Sequence, residues 1–237
     1  MDMPPSRPGL AGSLANALLA PREAFERLRD ARGWGWAAFV LVVLMQTAAL
    51  FAFFGPMSPD WIVEQQLLSA GELKPDEHAA ASQQLAAVAP YSAVIGAIGG
   101  AVMLGLMVLL LGLVWFLAER TSRGPRHAYL AWIRFATWTQ LPLVLASLGL
   151  ILLSLLAADP DQPLSAANFA SLNAWITRFP VGHTHYAWAE QLNLFVLWSA
   201  VLAMIGLRTW TGAGWARAAL VGALPWLLVF GIWGLLA

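Results

Sequence analysis

Five stretches of the chain, 33–58, 79–118, 135–158, 191–207 and 218–237, contain no Asp, Glu, Lys, Arg or His. A charged side chain costs several kcal/mol at the centre of a bilayer, and about 20 apolar residues form a helix long enough to cross one. Such stretches therefore mark membrane spans. The second is too long, because as one helix it would reach about 60 Å, twice the hydrocarbon thickness. Its first third is small and polar, and Pro90 suits a helix start, which trims the span to 91–117. The fourth is short, and Glu190 and Arg208 at its ends are expected to reach the two headgroup layers.

The reading is an all-α, polytopic integral membrane protein with five transmembrane helices, 34–56, 91–117, 135–157, 190–207 and 218–237, plus short interfacial helices. Composition agrees: 59% of the 237 residues are hydrophobic and 11% charged, where a soluble domain carries roughly a quarter charged residues. With no Cys there is no disulfide, thiolate nucleophile or palmitoylation site. A net charge of zero speaks against a nucleic-acid-binding face.

Lys and Arg in short loops stay on the cytoplasmic side. Arg7, Arg22, Arg27, Arg29 and Arg32 precede the first span, Arg120, Arg123, Arg126 and Arg134 follow the second, and Arg208 and Arg217 follow the fourth. Only Lys74 and Arg178 fall in the other gaps. The amino terminus is expected inside and the carboxyl terminus outside, with 1–32 a cytoplasmic segment, 33–237 the transmembrane domain, and the first span an uncleaved anchor.

Within 10–30, Leu14, Leu18, Phe25 and Leu28 recur at helical spacing opposite a face of Arg and Glu. This helix either lies on the inner leaflet or packs on the protein's own inner loops. Outside, 58–77 is expected to form an acidic helical hairpin, and 159–188 carries an apolar helical stripe of Phe169, Leu172, Trp175, Ile176 and Phe179.

Chemistry is sparse. Gly96 with Gly100 and Ala101 with Gly105 form small-xxx-small pairs, expected to pack helices within the bundle, a dimer interface being the other use. His183 and His185 near Glu190, and His78 beside Asp76 and Glu77, invite a metal, but no dense ligand motif occurs. His127, among arginines, reads as a solvated or headgroup-facing side chain. The five spans hold no ionisable residue; Gln46, Thr47, Thr137, Thr139, Gln140 and Asn193 are the main polar groups at depth and read as interhelical hydrogen-bond partners. The tryptophans Trp34, Trp36, Trp61, Trp132, Trp188, Trp210 and Trp215 read as interfacial anchors. No catalytic, cofactor-binding or metal-binding residue is assigned, and no cofactor.

Several segments together resemble the YIP family, the Ypt/Rab-interacting membrane proteins, in its bacterial form. Leu19-Ala-Pro21-Arg-Glu-Ala-Phe25-Glu-Arg-Leu28 resembles its amino-terminal "sP…f..l" element. The stretch from Arg134 to Pro142 is similar to its third-span segment, with Phe135 where Tyr is usual. Leu192-Asn193-Leu-Phe195-Val-Leu-Trp198 and Ile205-Gly206-Leu207 resemble "lF.lW" and a downstream "iGl", with Asn193 where an acidic residue is common. The resemblance implies a five-span protein with a cytoplasmic amino terminus and no catalytic activity. Its eukaryotic relatives are linked to Rab GTPases and vesicle traffic.

The expectation is a non-enzymatic membrane organiser or trafficking-type adaptor of the bacterial inner membrane; the alternative is a small permease, channel or lipid-moving protein. Its partners are the lipid bilayer and other membrane proteins, not nucleic acid.

Overall fold

The structure, a computed structural model, describes residues 10–29, 35–71, 74–121 and 126–237. Arg7, Arg32, Trp34, Glu72 and Arg123, which entered the sequence reading, lie outside the described residues. Among the described residues all regular structure is helical apart from one isolated antiparallel bridge between Ser171 and Asn193.

The helices are α1 (Leu10–Leu19), α2 (Pro21–Arg29), α3 (Ala37–Phe54), α4 (Pro59–Ala70), α5 (Pro75–Val88), α6 (Ser92–Arg120), α7 (Tyr129–Thr139), α8 (Pro142–Leu156), α9 (Tyr186–Gln191), α10 (Leu194–Thr211) and α11 (Trp215–Leu236). Five helical runs are long and apolar enough to cross a membrane: α3, α5 with α6, α7 with α8, α10, and α11. The chain is an integral membrane protein. Its spanning helices leave large side chains such as Leu110, Leu155 and Leu235 mostly exposed, a surface that suits lipid and not water.

Proline sets several boundaries. Pro59 and Pro75 occupy first turns, where their missing N–H costs nothing, and Ser58 Oγ caps α4 by accepting from the Trp61 amide. Pro142 ends α7 because it has no N–H to continue the ladder; the helix breaks at Gln140 and Leu141 and restarts as α8. The third run begins at Tyr129, ahead of the expected 135, and includes Arg134 near its start; its 28 residues are more than the hydrocarbon thickness requires.

The chain forms two compact units. The first comprises Met1–Leu41, Leu106–Pro142 and Trp198–Pro225. Its core is aromatic: Phe25, Trp115, Trp132, Phe135, Trp138 and Trp210 are at most 2% exposed. Helix α2 buries Ala24, Phe25 and Leu28 in this unit, so it packs on the protein's own helices. Burying Phe25 and Leu28 is worth about 1.5 to 3 kcal/mol each, whereas the exposed pairs Arg22–Glu26 and Arg27–Glu23 contribute only about 0.3 to 0.5 kcal/mol. Burial holds the helix down.

The second unit comprises Val42–Gly105, Leu143–Leu197 and Trp226–Ala237. Its core is Ala49, Phe53, Met57, Ile62, Val63, Ala89 and Leu150. Asp161 fastens the segment after α8 to the start of α4, accepting from the Ser58 amide at 2.7 Å and the Ser58 hydroxyl at 2.8 Å. Trp61 Nε1 adds a bond to the Gln162 carbonyl.

The expected small-residue contacts are corrected. A Cβ at Gly99, Gly100 or Gly105 would meet nothing within 4 Å, and one at Gly96 would meet only the Leu50 side chain, at 3.4 Å. Gly100 instead lines a crevice of about 150 Å³ with Gln46, Ala97, Ala101 and Ser147. Close backbone approach occurs instead at Gly112, where a Cβ would fall 3.0 Å from the Ile133 amide nitrogen, and at Gly222, where one would fall 2.8 Å from the Met204 backbone. Spacing of small residues in one helix does not reveal which face a neighbour covers.

Candidate functional site

Glu119 lies in the last turn of α6, one turn after Trp115, so both project from the same face. Its side chain is 1% exposed. An ionised carboxylate cannot be buried without donors, and three are supplied by the segment that follows. The His127 amide donates to Oε2 at 2.9 Å, Trp132 Nε1 donates to Oε2 at 3.0 Å, and His127 Nδ1 lies 2.6 Å from Oε1. A carboxylate only accepts, so with Glu119 ionised Nδ1 carries the proton. Both carboxylate oxygens are engaged, and the two ends of the connection between α6 and α7 are tied together.

Aromatic rings enclose the pair. The His127 ring lies 5.0 Å from Trp210 and 5.8 Å from Trp132, and Trp132 and Trp210 lie 5.2 Å apart. Phe135 then touches Trp132, Trp210, Trp115 and Phe25, at centroid distances between 4.9 and 5.2 Å. Trp210 Nε1 donates to the Phe25 carbonyl at 2.8 Å, which fixes α2 to α10. Gly206 makes this possible: a Cβ there would fall 2.5 Å from Phe135 and 3.0 Å from Phe25. Beside Glu119 is a space of about 20 Å³, lined by residues including Thr211 and Arg217, enough for about one water.

Phe25, Phe135 and Gly206 come from three separate sequence elements, and each occupies a distinctive position in its own. They converge on one contact. The profile of the Yip1 domain matches residues 15–236, nearly the whole chain. The chain belongs to the Yip1 domain family. No curated protein and no solved structure matches it. In this Yip1 domain the three elements build the aromatic box around Glu119 and His127.

Two readings of this region are corrected. His127 is bonded to a buried carboxylate and packed against two indoles, so it is not a solvated or headgroup-facing side chain. Trp132 and Trp210 are not interfacial anchors: both are buried with their N–H groups directed inward. The only sequence signal was a Glu placed directly after an apolar run and followed closely by His and Trp.

The Yip1 domain has a second buried carboxylate, Glu190 in α9, 5% exposed. Asn173 Nδ2 donates to its Oε1 at 3.0 Å, while Asn173 Oδ1 accepts from the Phe179 amide and the Thr177 hydroxyl. Burial, and then the Glu190 charge, push the Tyr186 phenol above its ordinary value. The Glu190 side chain is thus turned into the protein toward Asn173. The outer histidines are placed differently from a ligand set: His183 stacks on Phe179 at 4.1 Å and accepts from the His185 amide at Nδ1, and His78 lines a groove with His183. Among the described residues no three or more His, Asp or Glu are grouped to hold a metal.

The polar groups read as interhelical partners mostly bond locally. Thr137 and Thr139 hydroxyls donate to carbonyls three residues back, Gln140 Nε2 donates to Thr139 Oγ1, and Asn193 Oδ1 caps α10 by accepting from the Phe195 and Val196 amides, each at 3.0 Å.

Proposed function

We propose that this Yip1 domain protein is a non-enzymatic organiser or adaptor of the bacterial inner membrane, with its amino-terminal side cytoplasmic and its carboxyl terminus outside. The observation that carries this reading is the docking of α2. With Phe25 and Leu28 locked into the aromatic box, Arg22, Glu23 and Glu26 remain exposed on a fixed helix. A rigid helix face with charges of both signs offers a protein partner geometric and electrostatic specificity at little ordering cost. The space beside Glu119 is too small for a substrate, and the local bonding of Thr137, Thr139 and Asn193 supports a structural role for these polar groups. Both points favour an adaptor over an enzyme or a permease.

The test is crosslinking in intact membranes followed by identification of captured proteins. Wild type should capture a defined partner through position 23, and Arg22→Glu with Glu26→Arg should lose it at unchanged abundance. Reporter fusions near residues 20 and 124 should be active inside. Solute movement by the purified protein alone in proteoliposomes, without partner capture, would replace this reading with the permease.

A further inference from the structure

Helix α2, the end of α10 and the turn into α11 border an open groove of about 740 Å³, lined by Arg22, Glu23, Glu26, Ile205, Arg208 and Trp215 with neighbouring small residues. The volume is within the range of small-molecule sites. The lining carries two arginines and two glutamates, and both glutamates are already paired, Glu26 within the lining and Glu23 with Arg27 outside it. Arg22 is 3.0 Å from Glu26, and Arg27 is 3.3 Å from Glu23. Among the described residues no carboxylate lies within ion-pair distance of Arg208, whose guanidinium rests 4.2 Å over the Trp215 ring. The stacking orients the guanidinium and leaves its N–H edge available. In α11 the Ala218 amide bonds the Gly214 carbonyl, so the Trp215 amide precedes the helical ladder. A guanidinium without a carboxylate partner, an indole and the positive end of a 22-residue helix thus border one groove.

We propose that this groove binds the phosphodiester of an anionic glycerophospholipid. Arg208 lies in the last turn of α10 and Trp215 opens α11, two helices long and apolar enough to cross a membrane, and the ends of such helices fall at the depth of lipid phosphates. One phosphodiester charge matches the one unpaired Arg, the planar guanidinium suits two phosphate oxygens, and Ile205 with the Trp215 ring provides an apolar wall for the glycerol and the first acyl carbons. The groove is distinct from the Glu119 box but shares Arg22, Glu23 and Glu26 with the face offered to a protein partner, so the lipid is tested through Arg208 and Trp215, which the adaptor reading does not use.

Native mass spectrometry of the full chain in detergent tests it, with phosphatidylglycerol as the probe, diacylglycerol as the lipid lacking phosphate, and inorganic phosphate as the free anion. Wild type should retain phosphatidylglycerol in preference to diacylglycerol, and excess inorganic phosphate should not displace it. Arg208→Gln should weaken phosphatidylglycerol retention about tenfold, the scale of one charge-assisted contact, while Arg178→Gln keeps it. If Arg208→Gln does not fold, Arg208→Lys with Trp215→Leu replaces it and should bind more weakly than wild type. The proposal is overturned if the Arg208 variants bind like wild type, if Arg178→Gln loses as much, or if inorganic phosphate competes.

Discussion

The indole N–H of Trp115 donates to the main-chain oxygen of Val221 at 3.2 Å, and Val221 stands four residues before Pro225. Residue 225 would normally donate to that carbonyl, but proline has no N–H. A side chain of α6 thus completes the backbone bonding of α11 at its proline, in a setting where an orphan carbonyl is costly.

Trp115→Phe should therefore destabilise the protein by about 1 to 3 kcal/mol, since a buried acceptor loses its donor. In a Pro225→Ala background the restored amide serves Val221, and the hydrogen-bond part of that loss should vanish. Packing loss is common to both backgrounds, so a double-mutant cycle on detergent-solution melting isolates the bond. Equal losses in the two backgrounds would show that it contributes nothing.

At Glu119, the amide variant should be far milder than the apolar one. Glu119→Gln keeps an oxygen for the His127 amide and Trp132, and its NH2 can donate to His127 Nδ1 in the other tautomer; a loss of about 1 kcal/mol is expected. Glu119→Leu leaves the His127 amide and the Trp132 indole N–H buried without an acceptor, at about 3 kcal/mol or more. Melting temperature and tryptophan fluorescence measure both, and the opposite order would sink the assignment.

Two glycines should behave oppositely. Gly206→Ala forces a methyl between Phe135 and Phe25 and should cost about 1 to 3 kcal/mol. Gly100→Ala enters open space and should be neutral or gain up to about 1 kcal/mol from helix propensity. Expression level and thermal melting of the two variants settle the comparison.

Asn193 caps α10 through its own side chain, so Asn193→Asp should be tolerated or stabilising by about 0.3 to 1 kcal/mol, a negative charge being favourable at a helix start. Asn193→Leu should lose about 1 kcal/mol. Melting of both variants with salt varied checks this, because only the Asp gain should shrink as salt rises.

The spans were legible because hydrophobicity is a local property of the chain; the uncharged runs mark the same five crossings that the helices form. The buried face of α2 was legible too, as Phe25 and Leu28 recur at helical spacing, though what covers it was not. Burial of Glu119 was hidden because it depends on donors 8 and 13 residues away, and no local pattern specifies that they meet it. The glycines of α6 misled for a related reason: small residues permit close approach, but only the neighbour decides whether it happens.

The contact between the Phe25 carbonyl and the Trp210 indole spans 185 residues. At ordinary synthesis rates of about 5 to 20 residues per second, α2 is made about 10 to 40 s before its docking site exists. Throughout that interval Phe25 and Leu28 lack the cover that α10 supplies, even once Phe135 of α7 meets the Phe25 ring. The nascent protein therefore displays part of an apolar helix that the finished protein hides, and any chain that stops short of α10 keeps that part uncovered. Quality-control proteases and chaperones that recognise such a helix would distinguish complete from incomplete copies by that one surface.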